Sequence, residues 1–325
     1  MLENPKMNFT VSVVIPAYNV AAFVSKAVFS ALQQTEVVEV LFVDDGSTDE
    51  TLKLALNLQK KDSRVKVFQH DKGKNLGRSA SRNLGIQRAT GNYIAFLDAD
   101  DFYLDNRFSQ DQEILSKDST IHGVYNAVGY EFYRTIVAGE VNFLKDNTLT
   151  QTVPADQLFE ALISCKYGYL HLNGLTVKRK VFDDVGFFNE ALVVAEDSDF
   201  IFRLSLLCKL EASNISTLVA KRGIHEQNIF DKKDLYTKYN PVLYEELVRW
   251  CLKNKIAFCT IDSIFKYYWI IRYRENKTIG EETIYWMCYL IRNPTILFSK
   301  YSLKYMPIIR LRQKLFPFLY SLRHP

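Results

Sequence analysis

Residues 92–101, Asn92-Tyr93-Ile94-Ala95-Phe96-Leu97-Asp98-Ala99-Asp100-Asp101, run from an apolar stretch straight into acid. Residues 93–97 read as a buried strand, and three carboxylates follow within four positions at its C-terminal end. In an open α/β sheet, ligands bind just outside the carboxyl ends of the strands. Like charges this close repel unless a cation or a set of donors sits among them. Hard oxygen ligands suit Mg²⁺ or Mn²⁺, which commonly reach a protein through one or two carboxylates and a substrate's phosphates. The decapeptide alone leaves two readings open. One is a divalent ion bridging the protein to a diphosphate; the other is an acidic loop capping the next helix, where Asp is common.

Working outward, the segments upstream repeat the theme. Residues 11–15 (VSVVI) are a short β-branched run ended by Pro16, and residues 37–43 and 65–69 read as two further strands. Between them, residues 20–34 carry apolar side chains at helical spacing, and a second helix follows Asp44-Asp45-Gly46-Ser47-Thr48-Asp49, with Ser47 or Thr48 as its cap. A polar loop at residues 72–77 leads into a helix ending near Gly91. Strands alternating with helices predict a doubly wound, mainly parallel α/β sheet, whose default ligand is a nucleotide. No GxGxxG follows the first strand and no GxxxxGK[ST] occurs, which argues against a dinucleotide fold and a P-loop.

The wording of these segments resembles a known family. VSVVIPAYN (residues 11–19), VLFVDDGSTDET (40–51) and NLGRSASRNLGIQRATGNYIAFLDADD (75–101) are similar to the N-terminal half of family 2 glycosyltransferases, enzymes of the GT-A fold. The resemblance runs to about residue 230. It implies a GT-A catalytic domain over residues 1–231, with a Rossmann-like nucleotide-binding half (9–101) and an acceptor half (102–231). By the resemblance, Asp98 contacts the ribose or a metal-bound diphosphate and Asp100 is the main ligand of Mn²⁺ or Mg²⁺. Asp101 either shares that role or caps a helix, and His225, in a tail loop, is an added ligand. Glu196-Asp197 matches the second acidic motif: Asp197 as general base, Glu196 orienting the acceptor or its neighbours. Pro16, Tyr18 and Asp45 hold the base, with Tyr18 stacking on a pyrimidine and Asp45 accepting a uracil N3–H. Arg82 and Asn75 reach the base or diphosphate. UDP-sugar is thereby favoured, dTDP-sugar second and GDP-sugar third. Two departures stand out: Ser81 in place of the usual Ala, and Ser198-Asp199 after the acidic pair, where an aromatic or apolar residue is frequent.

The chemistry is coherent. A leaving diphosphate gains charge that a divalent ion stabilises, and an acceptor hydroxyl needs a carboxylate base. Attack opposite the leaving group inverts the anomeric centre without a covalent intermediate. The expected function is transfer from a nucleotide-sugar to a hydroxyl of a glycan or lipid-linked glycan, in capsule, O-antigen or lipopolysaccharide synthesis. The rivals are a sugar nucleotidyltransferase, which would need a glycine-rich basic loop after the first strand, and an inactive nucleotide-sugar-binding partner subunit.

The 325 residues are 48% hydrophobic and 24% charged, enough for a large core. The net charge of +4 is uneven: residues 232–325 hold 17 Lys and Arg against 7 Asp and Glu, a net of +10, leaving −6 for residues 1–231. Residues 265–273 and 284–291 are aromatic, helical runs. From Thr283 onward there are seven cations and no acid, and Pro294, Pro307 and Pro317 break the tail. This basic, aromatic region (232–325) reads as a helical extension with three roles open: contact with an anionic membrane through 283–325, with Trp and Tyr at the interface; homodimerisation; or packing on the catalytic domain. Nucleic acid is not an expected partner, because the cations lie on no recognised motif. Five cysteines without CxxC spacing fit reduced thiols. No signal-type N-terminus and no apolar run of about 18 residues occurs. The expectation is a cytoplasmic protein, peripheral on the inner face of the membrane.

Overall fold

The computed structural model describes residues 9–136, 148–226, 228, 233–273 and 277–307. The chain divides into two compact units, Met1–Leu235 and Tyr236–Pro325.

The first unit begins with β1 (Val11–Ala17), α1 (Val24–Leu32), β2 (Val37–Asp44), α2 (Thr51–Lys61), β3 (Val65–Gln69), α3 (Arg78–Arg88) and β4 (Tyr93–Phe96). These strands lie parallel in the order β3-β2-β1-β4. Every residue of β1 is buried, as expected of a strand covered on both faces. Pro16 sits inside β1 rather than ending it, in register with Val43 of β2. Pairing with β4 stops at Val14–Phe96, so the N–H that proline lacks has no ladder to serve.

The stretch that sequence reasoning could not place holds β5 (Phe102–Tyr103), α4 (Ser109–Lys117), β6 (Gly123–Tyr125), β7 (Ala127–Phe132) and α5 (Leu158–Ile163). It is followed by β8 (Leu175–Lys178), α6 (Val181–Val185), α7 (Glu196–Leu207), β9 (Leu210–Ala212) and β10 (Leu218–Ile224). The main sheet continues β4-β8-β6-β9, with β8 antiparallel to both neighbours, and a small sheet forms as β5-β10-β7. Arg107 fixes this half from inside. Fully buried, it pairs with Asp111 at 2.6 Å and donates to the Asn173 carbonyl and to Thr176 Oγ1.

Some expected ends move. Neither Ser47 nor Thr48 caps α2. Ser47 Oγ instead accepts from Asn19 N–H, and Asp49 Oδ1 accepts from Thr51 N–H. Asp101 caps no helix either, because β5 follows it. A 3-10 turn at residues 155–157 leads into α5, and residues 172–174 form another 3-10 turn before β8.

In the second unit, α8 (Lys233–Lys253) begins just before the division, and α9 (Phe258–Tyr273), α10 (Ile279–Arg292), α11 (Pro294–Leu297) and α12 (Lys300–Lys304) follow. Pro294 starts α11, where a missing N–H costs nothing. Several of the aromatics turn inward. Trp269 and Trp286 are buried with ring centroids 5.7 Å apart, Phe265 meets Trp286 edge-on, and Trp286 Nε1 donates to Ser302 O at 2.8 Å. This corrects the expectation of tryptophans at a membrane interface: they form the unit's core. Pro317 and the tail beyond 307 lie outside the described residues. Among the described residues, no helix is long and apolar enough to cross a membrane.

A buried carboxylate staples the strand starts. Glu39 accepts from Ser12 Oγ (2.6 Å), from the Thr90 N–H and hydroxyl, and from Lys66 Nζ (2.6 Å). Burial alone would raise its pKa, but these four donors outweigh it and hold it at about 2, below the usual 4.5. A depressed pKa stabilises the fold above the unfolded value and stops doing so as pH falls through the folded one. Glu39→Gln is expected to cost about 3 kcal/mol at pH 7. The gap from wild type should close between pH 4.5 and 2 in urea titrations at stepped pH.

Candidate active site

The acidic strand end folds as a tight turn, with Asp101 N–H donating to Asp98 O at 3.0 Å. The three carboxylates then diverge. Asp98 faces α3, where Arg82 donates to it at 2.7 Å. Burial pushes the Asp98 pKa upward, but the guanidinium prevails and holds it at about 2. Asp101 is buried and accepts from Asn173 Nδ2 (2.5 Å) and from the Gly223 N–H (2.7 Å). Its burial and the charges of Asp100 and Asp98 push its pKa well above the usual carboxylate value. Asp100 is half-buried and meets His225 Nε2 at 3.0 Å, with Asn228 Nδ2 at 3.4 Å. Gly223 permits this closeness: a Cβ there would stand 2.3 Å from the Asp100 carbonyl oxygen.

Arg82 is fully buried, and its second nitrogen donates to Glu196 at 2.8 Å. Arg78, one turn earlier on α3, also donates to Glu196, at 3.2 Å. Arg82 was expected to reach the base or diphosphate. Its guanidinium instead bridges the two acidic motifs, taking half-buried Asp98 from one and buried Glu196 from the other. Glu196 is thus a shared acceptor for both arginines. Asn83 adds a second tie by exchanging hydrogen bonds with the Phe188 backbone at 2.9 and 3.0 Å.

These contacts set the start of α7. Ala195, just before it, takes φ +61°, an uncommon left-handed conformation for alanine and one that collects at functional sites. Asp197 in the first turn accepts from Ser198 N–H and hydroxyl through Oδ1 alone. Its Oδ2 bonds to no described residue. The carboxylate is half-buried at a helix N-terminus.

On the nucleotide side, Asp45 is buried and both oxygens accept backbone N–H groups, from Leu76 (2.8 Å) and Gly77 (2.9 Å). The expected uracil acceptor is thus first a clamp on the loop that carries Asn75. Gly46 adopts φ +75°, and a Cβ there would lie 2.5 Å from Gly73 O, so only glycine lets the two loops meet. Tyr18 stands 47% exposed beside buried Pro16, and Asn75 is exposed, so these two side chains are open to a ligand.

Sequence reasoning gave no role to His171, Asn173 or Arg222. His171 is buried, and its Nδ1 accepts the Asn173 N–H at 3.2 Å, which places the ring proton on Nε2. Burial, and then the charge of Arg222, press its pKa well below the ordinary value, so the ring is neutral. Arg222 donates to Tyr169 Oη at 3.0 Å. The only available signal was the cluster Tyr169-Leu170-His171-Leu172-Asn173 ahead of a strand, and nothing in its spacing tied it to Asp98 or Asp101.

The donor set suits a divalent ion. Single ligand atoms of Asp98, Asp101 and His171 lie within 4.8 Å of one another, and Asp100 with His225 makes a second oxygen–imidazole pair. The two differ in accessibility. Asp101 already accepts two hydrogen bonds and His171 Nδ1 one, whereas the Asp100 and His225 side chains are 24% and 15% exposed. The second pair is the better fit for an ion that must also meet a substrate.

A sequence model of the family described as "Glycosyl transferase family 2" matches residues 12–167. The chain belongs to family 2 of the glycosyltransferases. An uncharacterized glycosyltransferase of Rickettsia felis is 30% identical over 224 residues, 67% of this chain and 35% of the relative. EpsJ of Bacillus subtilis, also an uncharacterized glycosyltransferase, is 29% identical over 260 residues, 76% of this chain and 69% of that one. The chain spans about a third of the Rickettsia felis relative's length. Among solved structures, S. aureus TarS 1-349 in complex with UDP-GlcNAc superposes with a TM-score of 0.59 at 18% identity, covering 78% of this chain and 70% of that one. That likeness is one of fold, and the fold is GT-A. In this chain the acidic pair Glu196-Asp197 and His225 lie beyond the matched span, so their place in the site rests on the hydrogen bonds above.

Removing the bridge should be costly. Arg82→Ala strands two carboxylates and is expected to lower unfolding free energy by about 3–5 kcal/mol. Arg82→Lys should recover only part of it, because an ammonium lacks the planar fork that serves two carboxylates. Urea denaturation of both variants checks this.

Proposed function

We propose that the chain transfers a sugar, with inversion, from a nucleoside diphosphate sugar to a hydroxyl of a glycan or lipid-linked glycan. One observation carries the reading: Arg82 joins the acidic end of β4 to the acidic start of α7, so two carboxylate motifs about 100 residues apart share one site. Asp100 and His225, with Asp98 from the same turn, would hold Mn²⁺ or Mg²⁺. When bound, the ion supplies Lewis-acid stabilisation of the leaving diphosphate.

The chain's own groups do the rest. Tyr18 offers a ring face to a pyrimidine, and Pro16 backs the slot. Asp45 holds the Asn75 loop against it, and its remaining lone pairs suit the imide N–H that uracil has and cytosine lacks. This favours UDP, as does the fold likeness to TarS, whose structure holds UDP-GlcNAc. Asp197 presents Oδ2 to the acceptor hydroxyl and takes its proton as the new bond forms, while Ser198 fixes Oδ1. Because a base on the face opposite the leaving group is all that displacement needs, no covalent enzyme intermediate arises. The setting we favour is bacterial surface-polysaccharide or lipopolysaccharide assembly, with the protein peripheral on the inner face of the membrane.

UDP release from a panel of UDP-sugars tests the reaction. Turnover of one donor should require Mn²⁺ or Mg²⁺, disappear with EDTA, and fall by about 10²-fold or more in Asp100→Ala. Asp197→Asn should bind UDP with wild-type affinity yet lose transfer by about 10²–10⁴-fold. Normal turnover by that variant overturns the base assignment, and tighter competition by GDP than by UDP overturns the uracil assignment.

A further inference from the structure

Helix α10 is apolar on both sides. Trp286, Tyr289 and Leu290 face the unit's core, while Ile284, Met287, Cys288 and Ile291 are exposed. The exposed four are spaced i, i+3, i+4, i+7, a single stripe along the helix. Ile284 and Ile291 are 67% and 70% accessible, and Phe298, in the turn after α11, is 88% accessible. Large apolar side chains clustered this openly mark a contact surface rather than ordinary solvent exposure.

Charge selects the occupant. Arg292 and Lys300, both exposed, border this segment, and from Thr283 to Pro325 the sequence has seven cations and no acid. A second copy seated on the stripe by a two-fold axis would bring this cationic margin against itself. An anionic bilayer offers both an apolar layer for the stripe and negative headgroups for its margin. We infer that the Ile284–Met287–Ile291 stripe of α10, with Phe298, lies in the interface of an anionic membrane. This deepens the peripheral-membrane reading above by assigning the contact to a face. It also replaces the buried tryptophans, which cannot serve as the anchor.

Flotation of the full chain with vesicles tests it, using phosphatidylcholine alone and phosphatidylcholine mixed with phosphatidylglycerol. Wild type should float with the mixed vesicles and much less with the neutral ones. Ile284→Glu/Ile291→Glu should cut the floated fraction by about tenfold, with an unchanged thermal transition because both residues are exposed. The neutral pair Ile284→Asn/Ile291→Asn should show a smaller loss in the same direction. If the Glu pair floats like wild type, the stripe is not the anchor, although the peripheral reading stands. If wild type floats with neither vesicle, both fall. If it floats equally with both, the anionic assignment falls. A wild-type dimer that the Glu pair converts to monomer, in sedimentation without lipid, overturns the lipid assignment in favour of a second copy.

Discussion

A buried guanidinium between two carboxylates is the constraint on which the site's geometry depends. Arg82, fully buried, receives half-buried Asp98 on one side and buried Glu196 on the other, both within 2.8 Å. Two carboxylates at this depth would be unfavourable alone, and so would the cation. Together they fix α3, the end of β4 and the start of α7 in one arrangement. Asn83 reinforces that arrangement through the Phe188 backbone, and Arg203 does so by pairing with Asp199 while donating to Val185 O and Phe187 O. The side chain that does chemistry in the proposed reaction, Asp197, is adjacent to the anchored Glu196. Its position is thus inherited from a pair that takes no part in bond making.

The nucleotide side is built on the same plan, with acids used first as scaffolding. Asp45 ties the 75–77 loop to the end of β2, and Asn19, Ser47 and Thr48 exchange hydrogen bonds that join the loops after β1 and β2. Each bond satisfies a backbone N–H at the carboxyl edge of the sheet, where strands end and loops would otherwise leave donors exposed. The outcome is a preformed wall in which Tyr18 and Asn75 remain open. Preorganisation of this kind lowers the entropic cost of holding a substrate in a reactive pose.

How far the sequence could be read follows from where the signals are local. β3 falls on residues 65–69 as read, and β1, β2 and β4 shift by only one or two residues, because runs such as VSVVI and YIAF are apolar along almost their whole length. The resemblance placed Asp100 and His225 in one site, and they do meet across 125 positions. What failed was partner assignment. Nothing in NLGRSASRN says that Arg82 turns inward, since that depends on Glu196 arriving from 114 residues away. The region from 102 to 175 was illegible for a related reason. Its strands are two to six residues long, and Arg107, Asp111 and Thr176 make a buried polar cluster there that looks like ordinary surface when read in one dimension.

The three acids of Asp98-Ala99-Asp100-Asp101 illustrate how one composition divides into separate tasks. Asp98 is held ionised by a cation, Asp101 is buried among donors that lace the turn to Asn173 and Gly223, and only Asp100 points to a group, His225, that is itself open to solvent. Repulsion among three carboxylates is therefore relieved twice by the protein before any ion is considered. That leaves one carboxylate and one imidazole as the groups whose electrostatics a divalent cation would complete. A charge cluster that read as a single feature in sequence is thus a structural anchor, a loop staple and, in the proposed reaction, a binding group. The division follows from which neighbour each side chain meets, with Gly223 close enough to Asp100 to leave no room for any other residue.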